Sequence, residues 1–389
     1  MFSFQLANRC SETSARAGEV LTSRGKIPTP VFMPVGTLGA IKGVLYPELM
    51  ALEVPITLAN TYHLYLRPGE AVLKGAGGLH KFCGWERPIL TDSGGFQIFS
   101  LAQLSKVSDE GYAFQSHIDG SRHFFTPERA LEVQRAIGSD IAMQLDQCLA
   151  WGSSPALVTT SVDRTLAWAR RSRDEMARHP GPQGDPSPQA LFGIVQGEGI
   201  AEERARCAAG LVELDLPGYA IGGLSVGENK ETLYRVCGET AALLPAQKPR
   251  YLMGVGAPED LVEGAARGID MFDCVLATRN ARNATVYTRA GRLNLRNARH
   301  EHAHEPIEAG CPCPACRRHT RAYLRHLFKC DEMNACTLAT LHNLAFFQRL
   351  MTDLRASILE GRFPQWRADF HKGYRAASEP LAPENSATL

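Results

Sequence analysis

The sequence predicts an α/β fold: a (β/α)8 TIM barrel with a hairpin inserted after the third strand and a cysteine-bearing subdomain towards the C-terminus. Three observations carry this. Eight short, almost continuous apolar runs recur along the chain, at 29–34, 55–60, 88–92, 140–146, 191–196, 219–223, 251–255 and 269–276. Strands apolar at nearly every position are buried on both faces, the condition of a parallel sheet wrapped by helices. Helix-period segments stand between the runs. The Gly-rich phosphate turn that normally follows the first strand of a doubly wound open sheet is missing.

The helix starts are legible. Thr126-Pro127-Glu128 sets a hydroxyl before a proline at the first helical position, ahead of Ala130, Leu131, Val133 and Ile137. Ala257-Pro258-Glu259-Asp260 opens Leu261, Val262 and Ala265 in the same way. Three stretches break the rhythm. Residues 97–139 are too long for one crossover and hold the alternating Phe114-Gln115-Ser116-His117-Ile118-Asp119-Gly120, hence the hairpin. Residues 179–189, with four prolines, read as a surface loop. Residues 300–350 hold a cysteine cluster. The expected division is therefore a barrel domain of 1–299 with 351–375, a subdomain of 300–350, and a flexible tail at 376–389.

With 44% hydrophobic and 21% charged residues, the 389-residue chain is an ordinary globular protein, not disordered, collagen-like or coiled-coil. No stretch approaches the roughly 18 apolar residues of a membrane span, and the N-terminus lacks a basic region followed by an apolar run, so a cytoplasmic protein without membrane contact is expected. Eleven cysteines are an odd number in a chain large enough to need no disulfides. The cluster Cys311, Cys313, Cys316 then points to a metal. Tetrahedral zinc needs one more nitrogen or sulfur. The candidates are His300, His302, His304, His319, His326, Cys330, Cys336 and His342, and spacing alone does not choose among them. Four protein ligands would make the site closed and structural.

The net charge of +1, from 42 Lys and Arg against 41 acids, hides an asymmetry. Residues 274–330 hold eleven Lys and Arg against three acids, a local +8 that leaves −7 elsewhere. Arg317, Arg321, Arg325 and Lys329 recur at i, i+4 beside Tyr323, Leu324, Leu327 and Phe328. An Arg-dominated stripe next to a metal module reads as a phosphate track.

Reactive groups of a barrel collect at the carboxyl ends of its strands. The residues closing the runs include Asn60, Asp92, Asp146, Gln196, Gly223 and Asp273. A carboxylate after a buried strand is costly unless paired or used; one could cap a helix, but three on one rim point to chemistry. In Asp92-Ser93-Gly94-Gly95-Phe96-Gln97 the glycines admit close approach of a ligand and Phe96 offers a stacking face. Gly222-Gly223-Leu224-Ser225 could present backbone amides in the same way. These features suit an enzyme acting on a base or sugar of an RNA. A non-catalytic RNA-binding protein would give the rim aspartates no reason to converge, and a zinc hydrolase would need an open metal position.

Taken together, the motifs resemble the tRNA-guanine transglycosylase (queuine tRNA-ribosyltransferase) family, of bacterial type. The resemblance rests on Asn60-Thr61-Tyr62-His63-Leu64, Leu90 through Gln97, Leu191-Phe192-Gly193-Ile194-Val195-Gln196-Gly197, Gly222-Gly223-Leu224, Tyr251 through Gly256, Phe272-Asp273-Cys274-Val275-Leu276, and the cysteines with Leu341-His342-Asn343. It implies exchange of the wobble guanine of tRNAs with GUN anticodons for 7-aminomethyl-7-deazaguanine, with direct insertion of queuine as the alternative. The nucleophile would be Asp273 and the proton acceptor Asp92. Base-binding positions would be Asp92, Ser93, Gly94, Gly95, Phe96, Asp146, Gln196, Gly223, Leu224 and Met253. RNA contacts would be Gly254, Val255, Gly256, Ala257, Pro258, Glu259, Asp260, Thr278, Arg279, Asn280, Ala281 and Arg282. One structural zinc would be held by Cys311, Cys313, Cys316 and His342, and the partners would be the tRNA anticodon loop, the 7-deazaguanine base and a second copy in a homodimer. An accessory, non-catalytic subunit is a further alternative, although this chain keeps both Asp92 and Asp273. Ala277 stands where most members have proline, Ala284 where many have glycine, Gln147-Cys148-Leu149 where Glu-Cys-Thr or Glu-Cys-Pro is usual, and Ser225 where bacterial members commonly have alanine.

Overall fold

The computed structural model describes residues 2–101, 104–179 and 189–374. Eight parallel strands, Val31–Gly36, Thr57–Ala59, Ile89–Thr91, Ile141–Met143, Ala190–Val195, Gly218–Ile221, Arg250–Leu252 and Met271–Cys274, run in chain order around a closed barrel, one overlapping each apolar run. The last pairs with the first, from Met271 opposite Val31 to Cys274 opposite Pro34. Side chains alternate across each strand. Val31, Met33, Val35, Ala190, Phe192, Ile194, Tyr251 and Met271 pack in the lumen, while Phe32, Leu191, Val195, Leu252 and Phe272 pack outward against the helices. Both faces are largely apolar, and the few polar strand residues stand at strand ends, Thr91 among them, buried and bonded to Gln134 at 2.9 Å.

An N-terminal antiparallel sheet, Ser3–Arg9, Arg16–Thr22 and Gly25–Thr29, closes the barrel at the amino ends of its strands. Its Val20 and Ile27 join the lumen cluster, and the Phe2 ring stands edge-on to Phe192 at 5.7 Å. Arg16 Nε donates to the buried Asp270 at 3.0 Å, and Asp270 also accepts the Arg250 backbone N–H at 2.7 Å. With this floor sealed, the carboxyl ends form the open mouth.

The insertion after the third strand contains one strand more than the expected hairpin. Helix Gly95–Leu101 leads to an antiparallel sheet of Ser105–Val107, Tyr112–Gln115 and Arg122–Phe125. The last two are the expected hairpin; Ser105 and Lys106 of the added strand are exposed and show no apolar alternation. Helix Pro127–Ile137 then starts as read, with the Thr126 hydroxyl accepting the Arg129 N–H at 3.2 Å. The proline-rich stretch at 180–188 and the tail at 376–389 lie outside the described residues.

Beyond the eighth strand come helix Leu276–Arg282, a hairpin of Thr285–Thr288 with Gly291–Asn294, helices Pro314–Arg318 and Arg321–Lys329, and the long helix Met333–Leu359. A second core of Val286, Leu295, Leu324, Leu327, Phe328, Ala335 and Ala339 gathers around the cysteines. The long helix belongs to both bodies: its Phe347 stacks on Phe32 of the first barrel strand at 4.5 Å, and its His342 faces the cysteines. Among the described residues no helix is long and apolar enough to cross a membrane.

Candidate active site and metal centre

The polar residues at the strand ends meet at the mouth. Asn60 caps helix Thr61–Leu66, its Oδ1 accepting the His63 N–H at 3.1 Å, which leaves Nδ2 to donate to Asp92 Oδ2. Thr61 donates its backbone N–H to Asp92 Oδ1 at 2.9 Å and its hydroxyl to the Asp92 carbonyl. Burial pushes the Asp92 carboxyl up to about 7, with the nearby Asp273 and Asp146 adding to the rise and hydrogen bonds from Thr61 and Gly94 opposing it. Asp92 thus holds or releases a proton near neutrality.

Asp146 is buried and held from two sides, accepting from Ser93 Oγ at 3.0 Å on Oδ1 and from Gln196 Nε2 at 2.7 Å on Oδ2. Its burial also raises its pKa. Asp273 takes both of its protein hydrogen bonds on Oδ1, from Tyr251 Oη at 2.6 Å and the Gly254 N–H at 2.8 Å. That fixes the carboxylate plane and leaves Oδ2 to a ligand.

The turn at 93–95 lets this arrangement form. Gly94 has φ +82°, and a Cβ there would lie 3.3 Å from the Tyr62 backbone nitrogen, so the turn tucks under the neighbouring strand end. It leaves Phe96 46% exposed, as a stacking face would require, with no ring packed against it among the described residues. Met253 is half-buried against the lumen cluster, and Leu224 is buried.

The two segments expected to meet RNA flank Asp273. Gly254 is exposed at the turn after the seventh strand, with helix Pro258–Ala266 behind it. Val255, Gly256, Pro258 and Asp260 are buried and shape the turn; Ala257 is half-buried. Lys230 pairs with Glu259 at 2.7 Å and with Asp260 at 2.9 Å. On helix Leu276–Arg282, Thr278, Asn280 and Ala281 face inward, Asn280 donating to Tyr287 Oη at 2.6 Å, while Arg279 is exposed and Arg282 half-buried. Lys42 comes close enough that desolvation and the charges of Arg282 and Arg279 hold its ammonium below the usual range. Lys42, Arg279 and Arg282 thus form a local cluster of like charge, a kind of surface that attracts phosphate.

The basic stripe on helix Arg321–Lys329 is less free than its charge count suggests. Arg321 pairs with Glu305, and Arg325 with Glu301 at 3.2 Å, so two stripe members are neutralised within the same body. Arg317, Arg318 and Lys329 remain exposed.

Of the eight candidate fourth ligands, the structure brings His342 to the cysteines. Ligand atoms of Cys311, Cys313, Cys316 and His342 all lie within 4.8 Å of one another. The three sulfurs stand 3.8, 3.6 and 3.3 Å from His342 Nδ1, against about 3.5 Å between sulfur and nitrogen on a tetrahedral zinc. His342 Nε2 is 2.7 Å from the Tyr287 carbonyl. A carbonyl only accepts, so Nε2 carries the hydrogen and Nδ1 presents its lone pair to the sulfurs, the orientation a metal requires.

Tyr251 and Thr61 are the site residues to which the sequence assigned no role. Period-two alternation places Tyr251 on the same strand face as Met253, which is the signal that could have found it; the Thr61 contacts depend on neighbouring strand ends and leave no local signature.

This is a barrel enzyme with a three-aspartate mouth and an appended Cys3His cluster that could hold a metal ion. Residues 10–376 match the family model described as queuine tRNA-ribosyltransferase, and the chain belongs to that family. It is similar to proteins of that name from Pelotomaculum thermopropionicum, 53% identical over 96% of this chain and 99% of the relative, from Moorella thermoacetica, 51% over 96% and 98%, and from Listeria welshimeri, 48% over 95% and 96%.

Proposed function

We propose that the chain excises the wobble guanine of tRNAs with GUN anticodons, those for Asp, Asn, His and Tyr, and inserts 7-aminomethyl-7-deazaguanine through a covalent enzyme–RNA intermediate, in queuosine biosynthesis. The observation that carries this reading is the pair Asp92 and Asp273 at one mouth, one carboxyl poised near neutrality and the other presenting a free oxygen.

Asp273 Oδ2 attacks ribose C1′ as the C1′–N9 bond breaks, and the departing guanine takes the proton held by Asp92. The incoming base returns its N9 proton to Asp92 and attacks C1′, releasing the Asp273 carboxylate. Two inversions retain the stereochemistry, as in retaining glycosidases. Asp146 faces the guanine edge, whose N1–H and exocyclic amine suit a carboxylate. Ser93, Gln196, Gly223 and Leu224 line that edge, Phe96 and Met253 sandwich the ring, and the nucleotide leaves its stack to enter. Arg279 and Arg282 meet phosphates of the anticodon loop, which positions the RNA without reading sequence.

Cys311, Cys313, Cys316 and His342 would hold one zinc, which supplies a structural cross-link and no step of the reaction. A homodimer is part of the proposal: Met333, 86% exposed, and Tyr323, stacked on His319 at 5.0 Å, offer apolar surface on the metal-bearing body. The reaction is tested by loading tRNA with labelled guanine and competing with the aminomethyl base or with queuine. Displacement by the former is expected, displacement by queuine alone would transfer the assignment to direct salvage, and retention of label against both would refute base exchange.

A further inference from the structure

Arg204 has no part in the chemistry above, yet it is buried directly behind the pocket. It lies on helix Ala201–Val212 at 2% exposure and forms no ion pair among the described residues. Its guanidinium is satisfied by carbonyls alone: Nε donates to Glu198 at 2.8 Å, Nη1 to Val195 at 3.0 Å and to Gly222 at 2.8 Å, and Nη2 points to Gly223 at 3.5 Å.

These carbonyls belong to the ends of the fifth and sixth barrel strands. The parallel ladder between the two finishes with Val195 opposite Ile221, and the Gly222 N–H adds one last bond to the Val195 carbonyl at 3.0 Å. Gln196 and Gly223 therefore lie where the sheet no longer sets their spacing, and the planar fork of Arg204 bridges both strands at that level. The tolerance there is small. A Cβ on Gly223 would lie 2.5 Å from Gln196 Oε1, and one on Gly222 2.7 Å from Gln196 Nε2, so the Gln196 amide rests on this glycine pair. The same Nε2 then holds Asp146 at 2.7 Å.

We infer that Arg204 is a positioning residue, its guanidinium clamping two strand ends so that Gln196 and Asp146 meet the edge of a guanine-type base in alignment. A buried cation without a carboxylate partner is a poor stabiliser compared with an apolar side chain, and a lysine ammonium lacks the rigid fork that spans two strands. The residue type thus answers to geometry. The inference rests on the proposed reading of the pocket as a base site.

The test uses the full chain with Arg204→Met and Arg204→Lys. Binding of free guanine and of hypoxanthine, which lacks the exocyclic amine, is measured by equilibrium dialysis, and labelled-guanine exchange into tRNA is followed in parallel. Wild type should prefer guanine. The variants should lose guanine affinity about tenfold or more, as expected for misaligned charge-assisted hydrogen bonds, and lose less towards hypoxanthine, which keeps the N1–H contact but has no amine contact to forfeit, with the KM for tRNA retained and the lysine variant intermediate. If Arg204→Met does not fold, Arg204→Lys decides. A folded variant with the wild-type guanine preference, or one weakened equally towards both bases, overturns the inference. Wild type that binds guanine without exchanging it into tRNA overturns the proposed reaction instead, and the base-preference comparison still decides the role of Arg204.

Discussion

Replacing Asp92 with asparagine should stabilise the protein at high pH relative to low pH while removing exchange. Burial lifts the Asp92 carboxyl from its ordinary 3.8 to about 7. The folded state therefore binds this proton more tightly than the unfolded chain does, so the contribution to stability is fully present below about 4 and is lost as pH rises towards 7. At about 1.4 kcal/mol per pK unit, the raised pKa of Asp92 costs the fold about 4 kcal/mol at pH 8, where the group is ionised in both states, and about 1 kcal/mol at pH 4.5, where only the unfolded chain is ionised. Asparagine cannot ionise. It can keep the Thr61 N–H bond, but its amide either sets a second donor against Asn60 Nδ2 or gives up an acceptor, a pH-independent penalty of about 1–3 kcal/mol. The stability difference between variant and wild type should thus be about 3 kcal/mol more favourable to the variant at pH 8 than at pH 4.5. Urea unfolding of both proteins at the two pH values measures it. An identical difference at both would refute the argument, because it would mean that Asp92 titrates alike folded and unfolded. Wild-type exchange should rise with pH through the range where Asp92 deprotonates if uptake of the incoming base's proton limits the rate.

Three further outcomes follow from other parts of the structure. Asp273→Asn should abolish the denaturation-resistant enzyme–RNA adduct while tRNA still binds, with exchange down roughly a thousandfold or more; undiminished exchange would dismiss Asp273 as nucleophile. His342→Ala should lower the zinc content measured by elemental analysis and the melting temperature by several degrees, and a full metal complement would show that another residue completes the site. Raising salt from 50 to 200 mM should weaken tRNA binding by an order of magnitude or more, with Arg279→Ala and Arg282→Ala each flattening the dependence by about one unit of log–log slope; slopes equal to that of wild type would place the phosphates elsewhere.

The barrel was legible because its strands are buried on both faces, which writes a nearly continuous apolar run into the chain with polar residues confined to the ends. The N-terminal sheet escaped for the opposite reason: Ser3–Arg9 alternates between half-buried and exposed positions, a weak signal, although Val20 and Ile27 of its partners reach the lumen core. Ser105–Val107 is three residues long and has no buried position. At the mouth, Asp92, Asp146 and Asp273 could be read as carboxylates ending buried strands. Tyr251 and Arg204 could not be given roles, because each acts through atoms on a neighbouring strand end. The fourth cysteine-cluster ligand had eight candidates until the helix Met333–Leu359 placed one of them. The acids that neutralise Arg321 and Arg325 were in the charge count from the start, and only the fold shows which arginines they meet. Ala284 adopts φ +61° and is fully buried, a left-handed turn that suits glycine and that alanine occupies here under strain.

His342 and Asn343 are consecutive on the long helix and attach it to different neighbours. His342 faces the sulfurs and donates to the Tyr287 carbonyl; Asn343 accepts the Tyr287 N–H at 3.0 Å and donates to the carbonyls of Ala277 and Thr285, both at 3.0 Å. Adjacent helical residues point about 100° apart, so a slip of one position would break both sets of bonds together. The Cys3His cluster and Asn343 therefore act together as a gauge: by fixing the rotation of one helix they set how the segment Leu276–Arg282 sits beside the strand that carries Asp273, and under the proposed reaction that spacing would decide how far the attacked sugar lies from the phosphates met by Arg279 and Arg282.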